Sequence, residues 1–265
     1  MTALERIELM QRSLPLHTVS VAPLALAFVT LGFGWAQAAL AQQDPEPEQP
    51  EAETEVSPQI WVDYNPSVYL NPKLNLFGDI GYRAELQSEG WWRLLVRANT
   101  MYSLSNSLRV GGGLQNFFTF NDEIDNRWEL RPWQGADLVW PRWRVPLDHR
   151  LALEERFDFN TATWEMRAAL RLRYRLRATF RWNAVQEDRY WRALAGTEIF
   201  MNLAGQQGQF REQVRLSAGI ERSFRWTLRL RLEVAWQKEG EAFFIGRGDV
   251  SDIFFRFRIY QNWGQ

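Results

Sequence analysis

The sequence predicts an all-β fold, specifically a transmembrane antiparallel up-and-down β-barrel of about twelve strands, with ten strands as the alternative. Three observations support this prediction. From Gln59 onward, apolar and polar residues alternate over long segments, which is the pattern of a strand with two unlike faces. Arginine fills the polar face of several segments, whereas Leu, Trp and Phe fill the other face. An apolar, export-type segment precedes them.

The first 41 residues predict a cleaved secretory signal peptide. The apolar stretch 19–35 is followed by the small-residue run AQAALA, in which Ala39 and Ala41 occupy the −3 and −1 positions of a cleavage site. A membrane anchor is the alternative, because the stretch is long for a signal core and short for a span. Translation starts at Met1 or at Met10, and the second gives the more ordinary signal. We expect cleavage after Ala41.

Residues 42–58, QQDPEPEQPEAETEVSP, predict a disordered acidic and proline-rich tail. Six acids and no base fall between Asp44 and Glu55, and almost nothing in this stretch is apolar enough to bury. The barrel domain is therefore predicted to occupy residues 59–265.

Eleven segments of this domain alternate, and the first of them does so weakly. They are 59–70, 73–86, 91–103, 107–120, 127–140, 148–159, 163–180, 189–202, 210–222, 225–237 and 250–263. Most are 12 residues or longer, against roughly 5–6 in soluble sheets. Single-chain bacterial barrels have even strand numbers. Either 59–70 is not a membrane strand, which leaves ten, or one segment contains two strands, which gives twelve.

The clearest segment lies within 163–180. Arg171, Arg173, Arg175 and Arg177 stand on one face, and Leu172, Tyr174 and Leu176 stand between them on the other. In a membrane barrel the arginines face the lumen and the apolar row faces lipid. A soluble β-sandwich is the alternative fold, but its solvent face would be richer in Lys and Thr and its strands shorter.

The charged residues and the absence of cysteine limit the kinds of site that the chain can form. Residues 59–265 carry 29 Lys and Arg against 24 Asp and Glu, and only Lys73 and Lys238 are lysines. The rigid guanidinium fork suits buried charge networks better than lysine does. The chain contains no cysteine, which excludes disulfides, thiolate metal sites and cysteine nucleophiles.

A lumen charge network is the candidate site. The residues that alternation turns inward are Arg150, Glu154, Arg156, Glu165, Arg167, Arg171, Arg173, Arg175, Arg177, Glu198, Arg215, Glu221, Arg229, Arg231, Glu233, Arg256 and Arg258. Two interpretations are open. Arginine–carboxylate pairs fill a narrow lumen as a structural network, or the excess of arginine lines a pore that favours anions. Acids contributed by the N-terminal strands decide between a plug and a pore.

An enzyme acting on outer-membrane lipid is the alternative function, and it would need a serine beside a histidine base. His149 is the one histidine after the signal peptide, and alternation turns it outward near a strand end. Glu154 and Glu155 are adjacent, so they face opposite sides and cannot act as an acid–base pair; Glu155 on the lipid-facing row departs from the pattern. We predict no catalytic residues and a non-enzymatic protein.

Metal sites and cofactors have no support in the pattern. The acids of 121–125 are typical of a solvated loop rather than a calcium site, so no metal and no cofactor are expected. The expected partners are outer-membrane lipid and lipopolysaccharide, the barrel-assembly machinery during insertion, and small solutes, with no nucleic acid. An adhesin would need long external loops, and only 239–249 is long.

Several stretches together resemble a known family. They are Trp61, GYRAEL, HRLALEERFDFN, WEMRAALRLRYRL, GTEIFMNL, FREQVRLSAGIERSF and DIFFRFRIYQNW. The pattern resembles the domain-of-unknown-function 2490 family of bacterial outer-membrane proteins, over most of residues 59–263. The resemblance implies an outer-membrane barrel of uncharacterised role, and it brings no catalytic residues with it. From the inward charges we expect a small channel or a structural envelope protein.

Overall fold

The computed structural model describes residues 55–86, 90–121, 124–140, 145–186, 189–205, 212–240 and 250–263. The predicted signal peptide and residues 42–54 of the predicted tail lie outside these residues. No helix within the described ranges is long and apolar enough to cross a membrane.

The described residues form one closed barrel. Its strands are β1 (Glu55–Tyr69), β2 (Leu74–Glu85), β3 (Trp92–Ser103), β4 (Leu108–Phe120), β5 (Arg127–Trp140), β6 (Leu147–Asn160), β7 (Met166–Gln186), β8 (Arg189–Gly205), β9 (Glu212–Arg225), β10 (Leu228–Gly240) and β11 (Val250–Trp263). Each strand pairs in antiparallel fashion with its sequence neighbours, and β1 pairs with β11 in parallel to close the sheet. We call the end that holds Glu55 and Val250 the first end, and the end that holds Tyr69 and Trp263 the second end.

Eleven strands in the described part of the chain differ from the expected twelve or ten. Each alternating segment forms one strand, and the weakly alternating 59–70 is among them. An odd number leaves the first and last strands running in the same direction, so the closing pair has to be parallel.

The first strand begins at Glu55, whereas the sequence placed the start of the barrel at Gln59. The extra residues pair with the start of β11, Val56 with Ser251 and Ser57 with Asp252. Ser57 is buried there. The backbone of this acidic stretch is therefore ordered by its partner strand rather than by apolar side chains of its own.

Side chains reinforce the parallel seam between β1 and β11. The Tyr64 hydroxyl donates to Oε1 of Gln261 at 3.0 Å, and the Ser67 hydroxyl donates to Oδ1 of Asn262 at 2.7 Å. The ring of Trp61 stacks on that of Phe254 with centroids 3.8 Å apart. Hydrogen bonds and stacking thus fix the register where the chain ends meet.

Alternation sorts the side chains between lumen and exterior. On β10, Leu232 and Val234 are 55% and 48% exposed on the outside, whereas the inward-facing Arg231, Ala235 and Gln237 are buried and Glu233 is half-buried. This is the reverse of a soluble protein, in which apolar side chains are buried and arginine is exposed. On β4, a Cβ added at Gly112 would lie 2.7 Å from the Trp133 carbonyl oxygen, so the glycine run 111–113 permits a close backbone approach.

Aromatic side chains form two bands on the outer face. The first band lies near the first end and comprises Tyr82, Trp92, Phe118, Phe120, Trp128 and Phe159, with Trp92 stacked on Phe120 at 4.0 Å and Trp128 on Phe159 at 4.9 Å. The second band lies toward the second end and comprises Trp140, His149, Tyr174, Phe180, Trp182 and Trp191. Each band crosses several adjacent strands.

Candidate functional site in the barrel lumen

The inward faces of the strands enclose one large cavity of about 890 Å³. Ser57 and Asp252 line it at the first end, and Ser67 and Asn262 line it at the second end. Residues close to both ends of the barrel therefore face the same space.

Glu154 is the centre of an ion-pair cluster that joins β5, β6 and β7. Its carboxylate lies 2.5 Å from Arg171, 3.3 Å from Arg173 and 3.8 Å from Arg131, and the residue is only 1% exposed. Register explains the closest pair, because Glu154 on β6 stands opposite Arg171 on β7. A buried carboxylate is stable only with such compensation.

Arg173 links this cluster to a second carboxylate. It donates through Nη2 to both oxygens of Glu198 at 3.0 Å, and Arg215 lies 3.1 Å from the same carboxylate. Glu129 on β5, which shares Arg131 with Glu154, accepts from Arg156 at 2.6 Å and from Arg131 at 2.8 Å. Alternating arginines and carboxylates thus run around the lumen wall.

Two more carboxylates near the second end come from β5 and β6. Asp137 accepts from Arg150 at 2.6 Å and from Arg109 at 3.2 Å. Asp148 accepts from Arg175 at 2.7 Å and lies 3.6 Å from Arg109. These pairs tie β4, β5, β6 and β7 together.

The C-terminal strands share their carboxylates among more arginines. Glu221, fully buried, lies 2.7 Å from Arg231, 3.5 Å from Arg192 and 3.6 Å from Arg229. Asp63 on β1, also fully buried, forms a hydrogen bond with Arg256 and lies 3.6 Å from Arg258. Arg258 is also 4.0 Å from Glu233.

Aromatic rings occupy the lumen beside the arginines. The guanidinium of Arg83 lies 3.8 Å from the centroid of Trp61, on a ring that also stacks on Phe254. Arg131 lies 4.4 Å from the centroid of Phe117. Flat rings hold a guanidinium without neutralising its charge.

Three lumen arginines have no carboxylate partner among the described residues: Arg83, Arg93 and Arg177. Arg83 and Arg93 lie against aromatic rings, and Arg93 also donates to the Thr119 hydroxyl at 2.7 Å. In total, seventeen described arginines and nine described carboxylates line the cavity, eight more arginines than carboxylates. Four further carboxylates, Asp63, Glu129, Glu221 and Glu233, contact lining arginines without being part of that lining.

The structure places most of the predicted network residues in one space. Those that line the main cavity are Arg150, Glu154, Arg156, Arg167, Arg171, Arg173, Arg175, Arg177, Glu198, Arg215, Arg229, Arg256 and Arg258. Glu233 lines a small adjoining cavity. Glu221 and Arg231 are buried against each other.

Glu165 is the exception, because it lies in the turn before β7 with its side chain 62% exposed. Pairing between β6 and β7 begins only at Met166, so Glu165 is at the rim and contacts Arg167 at 3.8 Å.

Several network residues of the N-terminal half were absent from the predicted set. The carboxylates are Asp63, Asp79, Glu129 and Asp137, and the arginines include Arg83, Arg97 and Arg131. The same alternation identifies them, although for Asp63 the signal is weak because its strand alternates poorly. These acids supply part of the counter-charge that the C-terminal strands lack.

His149 lies on the outer face of the barrel, away from the lumen. Its Nδ1 lies 2.8 Å from the Tyr174 hydroxyl, and its ring is 5.0 Å from that of Trp140. Glu155 is exposed on the same outer face. No group of three or more His, Cys, Asp or Glu side chains that could hold a metal ion occurs within the described ranges.

The sequence was compared with known protein families, curated proteins and solved structures. The family model described as "Protein of unknown function (DUF2490)" matches residues 58–244, most of the barrel. The chain belongs to this family. Neither a curated protein nor a solved structure matches this member of DUF2490 significantly.

Proposed function

We propose that this DUF2490 protein is an outer-membrane channel that favours small anions. The observation that carries the proposal is the lumen, in which one cavity is lined from both ends and holds an excess of eight arginines over carboxylates. Fixed positive charge on a narrow wall raises the local concentration of anions and repels cations.

The outer face supports a membrane position. Its apolar side chains are exposed on every strand, and water-exposed apolar surface of this extent is unfavourable unless lipid or protein covers it. On β5 the two aromatic bands are represented by Trp128 and Trp140, twelve residues apart. At roughly 3.3 Å per residue and a tilt of roughly 40°, this separation corresponds to about 30 Å of membrane height.

The ion pairs of the lumen support a structural role as well. Pairs such as Glu154–Arg171 connect neighbouring strands and occupy part of the cross-section. The network then shapes the wall, while the arginines without carboxylates leave the remaining path positive.

A lipid hydrolase is less well supported. The contacts of His149 on the outer face are with Tyr174 and Trp140, both aromatic, rather than with a serine hydroxyl. An interfacial histidine of this kind suits an aromatic band better than a proton-transfer site.

Recording from the refolded protein in planar bilayers tests the channel. With a tenfold KCl gradient, we expect stepwise conductance whose reversal potential has the sign of chloride preference. Conductance with cation preference, or no conductance from protein shown to be folded and inserted, would reject the proposal. Density-gradient separation of envelopes from an expressing Gram-negative cell tests the location, and recovery in the inner-membrane fraction would contradict it.

A further inference from the structure

Arg177 is a lumen arginine that faces other cations. On β7 it stands opposite Asp148, yet that carboxylate contacts Arg175 and Arg109 instead. Four other arginines line the same small cavity as Arg177, against the two carboxylates Glu198 and Glu233. Without a carboxylate of its own among the described residues, Arg177 leaves a local positive charge in the wall.

Small residues open a space beside Arg177. Across the sheet from it stand Gly196 on β8, then Ser217 on β9, then Ala235 on β10. No long side chain therefore separates β7 from β11 in this row. The small cavity at this point, about 10 Å³, adjoins the main one. It is lined by the glycine, the serine and five arginines, Arg177 and Arg258 among them, and by the carboxylates Glu198 and Glu233.

Unused hydrogen-bond donors point to a ligand in this region. Nε of Arg175 and Nε of Arg258, two arginines that line this cavity, are buried without a hydrogen-bond acceptor among the described residues. Arg175 is only 9% exposed. Buried donors without acceptors are rare and costly, and an anion satisfies several of them at once.

Tyr260 adds a neutral donor. Arg258 donates through Nη1 to the Tyr260 hydroxyl at 3.0 Å, which leaves the hydroxyl hydrogen free to donate onward. The tyrosine ring is held beneath Arg231 and Arg229, 4.7 and 5.1 Å from its centroid. The hydroxyl is therefore fixed at the cavity wall.

The shared carboxylates leave this region positive. Glu221 serves three arginines, namely Arg192, Arg229 and Arg231, and Asp63 serves Arg256 and Arg258. Even with Glu233 added, the carboxylates here are fewer than the arginines. A doubly charged anion fits this balance better than a singly charged one.

We propose that Arg177, Arg258 and Tyr260 form a binding site for a free oxyanion of the phosphate class inside the lumen. A guanidinium presents two parallel N–H groups that match two oxygens of a tetrahedral oxyanion, and a hydroxyl donor binds a third. The site deepens the channel proposal, on which its physiological meaning rests, by naming the anion class. Binding itself does not require conduction.

Calorimetric titration of the refolded full chain in zwitterionic detergent with inorganic phosphate, at constant ionic strength, tests the site. We expect the wild type to bind one phosphate per chain. The affinity of R177Q for phosphate should be lower by a factor of roughly ten or more. Y260F keeps the aromatic ring but lacks the hydroxyl, and its affinity for phosphate should be a few-fold lower than that of the wild type. R177K keeps the positive charge but lacks the guanidinium fork, so its affinity should lie between those of R177Q and the wild type. If far-UV circular dichroism shows that R177Q is misfolded, R177K still tests the site.

Two comparisons separate a built site from diffuse lumen charge. R222Q removes an arginine of the outer face, beside Trp191, and should bind phosphate as the wild type does. R167Q removes a lumen arginine near the first end and should lose much less affinity than R177Q. Equal losses in R167Q and R177Q, equal competition by chloride, or absence of phosphate binding would overturn the site.

The site and the channel fail separately. A barrel that conducts anions without binding phosphate at Arg177 overturns the site alone. A barrel that binds phosphate but does not conduct overturns the channel alone.

Discussion

Single carboxylates hold the lumen wall together, and Glu154 shows this most directly. It is nearly inaccessible to solvent and compensates three arginines from two strands. Removing one partner of a buried ion network leaves the others uncompensated, which is much more costly than losing a surface pair. The stability of the barrel therefore depends on this position more than its single charge suggests.

We expect E154Q to lower the free energy of unfolding by roughly 3 kcal/mol or more, because Arg171 loses its counter-charge inside the wall and Arg173 keeps only Glu198. Urea unfolding in detergent micelles, followed by tryptophan fluorescence, measures the change. E155Q is the matched control, since the neighbouring glutamate is exposed on the outer face, and its unfolding midpoint should equal that of the wild type. Equal midpoints for both variants would contradict the central role of Glu154.

The residue scale also shows where sequence reasoning ends. Alternation predicts that Glu154 and Arg171 face inward, because each strand has a period of two. It does not predict that they touch, because the contact depends on the register between β6 and β7. Glu165 shows the same limit at a strand end, where the last paired residue decides whether a side chain is inside the lumen or at its rim.

At the element scale, the strands themselves follow from local sequence. All eleven segments form single strands close to their predicted bounds, except that β7 ends six residues beyond position 180. The closure does not follow. β1 and β11 lie nearly two hundred residues apart, and their parallel pairing depends on contacts such as Trp61 with Phe254 that carry no local signal. The expectation of an even strand number came from antiparallel closure, which this chain does not use.

The parallel seam can be tested with a cysteine pair, because the chain contains no cysteine of its own. Ser67 and Asn262 stand opposite each other and share a 2.7 Å hydrogen bond. We expect S67C/N262C to form a disulfide on mild oxidation of the folded barrel, visible as a faster band on a non-reducing gel. S67C/Q261C is the control, since position 261 is one residue out of register and faces the other side. Cross-linking of the control alone, or of neither pair, would refute the eleven-strand closure.

At the scale of the whole molecule, the barrel combines an apolar exterior with a positive interior, and the two have different origins. The exterior follows from exposed leucine, valine and aromatic rows that any strand can contribute. The interior charge is a sum over all strands, so it emerges only when the N-terminal acids are counted against the C-terminal arginines. Seventeen arginines, most of them ion-paired, and nine carboxylates line one cavity, and this surplus of arginine supports the channel proposal.

Anion preference should therefore depend on arginines that stabilise nothing by ion pairing. Arg83 and Arg93 lie against aromatic rings and have no carboxylate partner among the described residues, so replacing both by glutamine lowers the lumen excess without breaking a pair. We expect R83Q/R93Q to remain folded and to lose roughly a quarter of the reversal-potential shift at 0.1 M salt, in proportion to the charge removed. The difference should shrink at 1 M salt, where the screening length falls to about 3 Å.

The control is R222Q, which removes a positive charge from the outer face, where it lies over Trp191. Because that charge does not border the cavity, the reversal potential of R222Q should equal that of the wild type at both salt concentrations. A shift in R222Q as large as in R83Q/R93Q would show that selectivity arises from the charge of the whole protein. No shift in R83Q/R93Q would show that the ions pass by a route that these two arginines do not line, and the lumen would then act as a structural network alone.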